Sequence, residues 1–324
     1  MSKEKLKTLN DFMRWIRDYA SNPRHQERLF TDRFVWHQLC ATFDAIGDTD
    51  LAIDAYLNGE FPDHNPGEQY LRVYGVLQAL LVQQDSLGQM TAILCPGMPL
   101  GLPDVLKDVR DARHASIGHP TRMQSKGNVS SNFINRSTMS KDSFQLLSFS
   151  KRDGDLFNHV PVVKLIEQQR AEVVRILSEV VTEVKQKDEE HKSVFRGKSV
   201  YARFHLVLYA FEKIFEDLHR NTIVGMGKWG IGELKSVLDD FKNMLIERGL
   251  SIETYDDIKY HYKQIQHPLT ELEKFFAGEP SAIPSYEAAI VYADALQGYF
   301  SELMKNAQWI DEEYQQKSSA VGST

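Results

Sequence analysis

The stretch "QYLRVYGVLQALLVQQDSLGQMTAIL", Gln69–Leu94, contains no proline and carries apolar residues on most sides of a helical projection. A helix that is apolar nearly all round must be enclosed by other elements, so this segment reads as a central helix of a bundle. Its polar exceptions, Gln78, Gln83, Gln84 and Asp85, stand out against that background. Upstream, "LKTLNDFMRWIRDYA" places Leu6, Leu9, Phe12, Met13 and Ile16 at spacings of three and four, and Thr31 is a candidate cap for "DRFVWHQLCATFDAI". Both segments read as amphipathic helices, separated from the central one by the breaker cluster "FPDHNPGE". Downstream, "CPGMPLGLP" interrupts the chain, and Pro103 is placed to open a helix that runs into "DVRDARHASIGHPTR", Asp108–Arg122.

From about Asn132 to Phe149 the pattern changes. "NFINRSTMSKDSFQLLSF" is rich in β-branched and aromatic residues, and "SKDS" supplies a turn, so a β-hairpin is expected at about 132–149 as the only sheet. Beyond it, Val162, Leu165, Ile166, Val173, Ile176, Leu177, Val180 and Val184 mark one face of a helix over 161–190. The charged run "KQKDEEHK" is expected to fade into a linker. A second helical region follows, with helices in "VYARFHLVLYAFEKIFEDLHR", "GELKSVLDDFKNMLIERG", "IETYDDIKYHYKQIQHPLTELEKFFAG" and "SYEAAIVYADALQGYFSELMKNAQWIDEEY", two of them closed by glycine. The expected fold is all-α: a helical bundle over 1–192 with an inserted hairpin, a C-terminal helical domain over 199–316, and a flexible tail over 317–324. No internal repeat of fixed period is visible.

With 42% apolar and 26% charged residues in 324, the composition is that of a folded globular chain. Cys40 and Cys95 lie far apart without metal-site spacing, so neither a disulfide framework nor a zinc site is indicated, and a reducing, cytoplasmic setting is expected. The charged start "MSKEKLKTLNDF" does not resemble a secretory signal, and no window approaches 18 uninterrupted apolar residues, so no membrane association is expected. A net charge of −7 argues against nucleic-acid binding over the whole surface, while leaving room for a local site.

Such a local site is visible. Asp104–Arg152 contains nine Lys/Arg against four acids, a net of +5, which leaves −12 on the rest of the chain. A concentrated positive field on an acidic body suits an anionic ligand docked in one place. Within this segment Arg113 falls near the end of the helix opened by Pro103, and Gly118-His119-Pro120 ends it. The helix dipole at that end favours a protonated imidazole and the neighbouring arginines oppose it, so the balance at His119 stays open. An arginine that never deprotonates beside a histidine that titrates near neutrality suits phosphodiester chemistry, because one holds the phosphate charge and the other moves the proton.

Arg113-His114-Ala-Ser-Ile-Gly-His119 resembles the arginine, polar residue, four variable residues, histidine motif of the HEPN superfamily. These are helical-bundle proteins, many of them metal-independent ribonucleases. The resemblance covers roughly residues 1 to 190 and departs from a minimal bundle in the hairpin after the motif. It implies Arg113 and His119 as the catalytic pair, His114 as a supporting polar residue, no cofactor and no metal, and a homodimer that apposes two motifs. RNA would be cut by attack of the ribose 2'-hydroxyl on the adjacent phosphate, a route closed to DNA. Arg110, Arg122 and Lys126 are candidates to position a phosphate or nucleotide. A stress or phage-defence role, in the manner of a toxin–antitoxin system, is analogy only.

Structural alternatives stand beside these assignments. Arg113 has Asp108 and Asp111 within reach for an ion pair, and His119 has the last carbonyls of its helix to cap. "GMGKWG", Gly225–Gly230, satisfies GxGxxG without a surrounding βαβ unit and is expected to be a loop between helices. His261 and His267 are expected to serve core packing, with a helix stop at Pro268. The competing functions are a non-catalytic nucleotide-binding, RNA-binding or scaffold protein, and a regulatory subunit that controls a protein partner through its C-terminal helices.

Overall fold

The computed structural model describes residues 6–30, 32–98, 103–118, 120–125, 128–150, 152 and 154–315. These form two compact units, one from 6–20 and 32–184, the other from 21–30 and 185–315. The described chain is mostly helical with one small antiparallel sheet.

In the first unit, α1 (Leu9–Ser21) and α3 (Arg33–Asn58) precede the central helix α4 (Pro66–Leu94). The α4 start follows from its residues: the Asn65 side chain accepts the Glu68 N–H, and Pro66 occupies the first turn, where its missing N–H costs nothing. Asp32 caps α3 by accepting the Phe34 N–H at 2.8 Å, and the expected cap Thr31 lies outside the described residues. Val73, Val76, Leu77 and Leu80 of α4 are enclosed by Ile53 and Tyr56 of α3, Val109 of α5 (Asp104–Arg113), and Val162, Leu165 and Ile166 of α6 (Val162–Phe195).

Gln83 and Gln84 turn inward as well, and each meets a partner. The buried Gln169 of α6 donates to the Leu80 carbonyl at 3.0 Å and to Gln83 Oε1 at 2.9 Å, and accepts from Gln84 Nε2 at 2.7 Å. Amides can sit in this core because most of their polar atoms find partners among themselves and the Leu80 carbonyl, Gln83 Nε2 alone of the three side-chain amides being left without one.

The expected hairpin is the central pair of a larger sheet. Four strands, β1 (Met123–Ser125), β2 (Asn128–Asn135), β3 (Phe144–Ser150) and β4 (Gly154–Val160), run as an antiparallel meander in chain order. "SKDS" does turn, with the Ser140 N–H bonding the Ser143 carbonyl at 2.9 Å, after a 3₁₀ turn at Arg136–Thr138. The outer strands were not expected because β1 has three residues, and β4 is an edge strand exposed everywhere except Val160, so neither shows a clean alternation. Ile134, Phe144, Leu146 and Val160 carry the inner face onto the helical core.

The second unit contains α2 (Pro23–Leu29), the end of α6, α7 (Val207–His219), α8 (Gly227–Glu247), α9 (Asp256–Ala277) and α10 (Tyr286–Gln315) around Phe204, Phe211, Phe241 and Phe300. Gly249 and Gly278, at φ of 69° and 72°, close α8 and α9 in the left-handed conformation that glycine adopts without strain. Four expectations are corrected here. The run "KQKDEEHK" is helical, because Asp188 and Lys192 are buried in an ionic cluster. Pro268 lies inside α9 and does not stop it. The loop expected at Gly225–Gly230 gives way to helix at Gly227, whose N–H bonds Asp217, and a methyl group on Gly230 would sit 2.7 Å from the Ala210 carbonyl of α7. The GxGxxG spacing therefore serves close helix packing. His261 is half-buried and His267 exposed, so neither is a core residue.

The ionic cluster is centred on Arg24, which lies 2.9 Å from both Asp188 and Glu313 and is 1% exposed. Lys192 reaches Asp188 at 3.2 Å, and His25 Nε2 lies 3.3 Å from it. Beside them Arg248 stacks between Phe195 and Tyr314, and donates to the Met244 and Lys198 carbonyls.

Candidate functional site

Helix α5 has Leu106 and Val109 in the core, which places Arg110 and Arg113 side by side along its flank towards α4. Arg110 donates through Nε to Gln84 Oε1 at 2.8 Å and through Nη2 to Asp85. Arg113 donates through Nε and Nη2 to the single oxygen Gln78 Oε1, at 3.2 and 2.9 Å. Arg113 thus pairs with neither Asp108 nor Asp111. The two contacts have different consequences. Asp85 neutralises Arg110, whereas the Gln78 amide orients Arg113 without cancelling its charge. The polar exceptions on α4 are accordingly the seats of the α5 arginines and of Gln169.

After Arg113 the helix does not simply stop. His114–Gly118 forms a single turn of π-helix, and Ser116 Oγ bonds back to the Ala112 carbonyl at 2.6 Å. Such wide turns recur at functional positions because the extra residue re-aims the side chains around it. Here the Arg113 guanidinium and the His114 imidazole both face the Cα of Gly118. A methyl group built there would lie 2.9 Å from Arg113 Nη1 and 3.3 Å from His114 Nδ1. Glycine leaves that space open directly before residue 119. His119 itself, and Lys126, lie outside the described residues.

The chain then passes along the sheet. The Pro120 carbonyl accepts the Asn132 N–H, and the Thr121 carbonyl accepts the Ser131 hydroxyl at 2.8 Å, so segment 120–122 is hydrogen-bonded to β2. Arg122, at the end of this segment, is exposed. Of the expected site residues, Arg113 and His114 are brought together, Arg110 is engaged by Asp85 and Gln84, and Arg122 stands on the sheet side of the turn. The residue that reasoning from sequence did not assign to the site is Gln78; its signal was an amide on an otherwise apolar helix.

Elsewhere, among the described residues, no group of three His, Cys, Asp or Glu is arranged to hold a metal ion. No described helix is long and apolar enough to cross a membrane. Cys40 and Cys95 are not joined in a disulfide, and the buried Cys95 thiol donates to the Val180 carbonyl at 3.9 Å. Comparison with protein-family models, with curated proteins and with solved structures returns no match for this chain.

Proposed function

We propose that the chain is an endoribonuclease of the HEPN kind, in which Arg113 holds the charge of the scissile phosphate and His119 moves the proton of the attacking 2'-hydroxyl. The observation that carries this reading is the convergence of the Arg113 guanidinium and the His114 imidazole over Gly118, next to the motif histidine. A guanidinium oriented by a neutral amide keeps its full charge for a phosphate oxygen, which is what transition-state stabilisation requires of it. His114 is the supporting polar group. Arg122 and Lys126 contribute phosphate contacts, while Arg110 holds α5 against α4. The resemblance further implies metal-independent cleavage and a homodimer with apposed motifs, acting in the cytoplasm in a stress or defence setting.

The test is cleavage of single-stranded RNA in excess chelator by the wild type and by Arg113→Ala and His119→Ala, each checked for folding by circular dichroism. Loss of one general acid–base group lowers the rate by about 10²–10⁴-fold. Products ending in a 2',3'-cyclic phosphate, with the homologous DNA uncut, are expected. RNA bound but left intact by the wild type would replace this reading with a binding function.

A further inference from the structure

The outer face of the sheet carries three exposed aromatic side chains, Phe133, Phe149 and Phe157. By strand register Phe133, Leu147 and Phe157 stand directly opposite one another across β2, β3 and β4, on the face turned away from the helices. Phe149, one row along, stacks on Phe133 with ring centroids 5.3 Å apart and the planes nearly parallel, at 19°. Phe133 is 51% and Phe157 66% exposed, although phenylalanine placed at random on a sheet of this size would be driven inward.

The charge around this face selects its occupant. Strands β1, β2 and β3 lie within the segment of net charge +5, Arg122 immediately precedes β1, and Arg152 sits in the β3–β4 turn. Asp155 is the one acid among the described residues of the outer face. At the other end of the strands, Asn135, Gln145 and His159 form a polar row able to donate and accept hydrogen bonds. Flat, exposed rings bordered by cations match the two repeating chemistries of an unpaired nucleic-acid strand, base faces and phosphates. The face is also continuous with the Arg113 turn, since segment 120–122 is hydrogen-bonded to β2 at Ser131 and Asn132.

We propose that the outer face of the sheet is a stacking platform for the bases of single-stranded nucleic acid, which feeds the strand to the Arg113 turn. This deepens the nuclease reading and rests on it for the choice of RNA as substrate. A double helix keeps its bases stacked inside and offers no faces to Phe133 or Phe157, so the platform discriminates single strands from duplexes.

Fluorescence anisotropy of fluorescein-labelled oligo(dT) tests the platform without cleavage, since this strand lacks the 2'-hydroxyl; labelled oligo(U) is followed in parallel for both binding and cutting. The double variant Phe133→Ala/Phe157→Ala is expected to bind oligo(dT) about tenfold or more weakly. Phe133→Leu/Phe157→Leu, which keeps the apolar surface but removes the ring faces, is expected to fall with it, and Phe133→Tyr/Phe157→Tyr to bind like the wild type. Binding by all three within about twofold of the wild type would overturn the platform, as would equal affinity for duplex. A shift from dimer to monomer in the Ala and Leu variants, with oligo(dT) binding unchanged, would reassign the face to contact with a second copy. The two readings fail separately: a bound, ring-dependent oligo(U) that is never cut removes the nuclease and leaves the platform, whereas cutting that ignores the rings does the reverse.

Discussion

The position at which chemistry and architecture meet most closely is Gly118. Its role does not come from an unusual torsion; it comes from the absence of a side chain at the point that both Arg113 and His114 approach. Gly118→Ala places a methyl group 2.9 Å from Nη1, and the guanidinium, as the end of a flexible side chain, must move aside. The cost to folding is therefore small, within about 1 kcal/mol by denaturant unfolding, because the neighbour that yields is on the surface. RNA cleavage is expected to fall at least about tenfold, since misplacing a charge-stabilising group is felt directly in the rate. A variant that unfolds easily, or one that cuts RNA at the wild-type rate, would contradict this account. The motif residues themselves were legible in the sequence as types and spacing. Their orientation was not, because Arg113 has acidic residues close by in the chain, Asp108 and Asp111, yet rests on Gln78, thirty-five positions distant.

The elements most legible in the sequence were α4 and α6, where apolar positions recur over many turns and leave one reading of the period. Short or exposed elements were illegible: α2 has seven residues, β1 three, and β4 buries a single side chain. At Pro268 the local preference of proline is outweighed by the packing of Ile265, Leu269 and Leu272, which holds α9 together across it. The link between α4, α5 and α6 runs through amides, from Arg110 to Gln84, Gln169 and Gln83. Gln169→Leu fills the space with an apolar group, strands the Gln84 amide and the Gln83 oxygen, and removes the second hydrogen bond of the Leu80 carbonyl. Chemical denaturation is expected to show a loss of about 2–3 kcal/mol, although leucine is the more hydrophobic residue. A neutral or stabilising result would mean that these buried amides contribute nothing to the seating of α5.

Across the molecule, ionisable groups are divided between a cationic surface in the first unit and a buried cluster in the second, and the cluster makes stability depend on pH. Burial, reinforced by Arg28 and Arg24, pushes the His191 imidazole down to about 4 from its ordinary 6.5. Between those values the unfolded chain takes up the proton first, so stability is lost as pH falls through the interval. Burial alone would raise the Asp188 carboxyl, but the His25 hydrogen bond and the charges of Arg24 and Lys192 outweigh it and hold the group far below the carboxylate range. Its contribution is present above about 3.8 and is lost at lower pH. Thermal melting should therefore decline in two stages on acidification, and His191→Phe, which keeps the ring contacts to Phe195 and Tyr314, should flatten the first while leaving the second. An unchanged first stage would assign it to other groups. What the sequence by itself determined is what lies within a few residues: helical periods, glycine and proline punctuation, and the gathering of cations between Asp104 and Arg152. What only the tertiary structure decided is partnership and facing: that "KQKDEEHK" buries Asp188 against Arg24, that Arg113 rests on Gln78, and that three phenylalanines of the sheet look outward. Period and torsion are local properties of a chain, whereas burial and charge pairing depend on which distant segments the fold brings alongside.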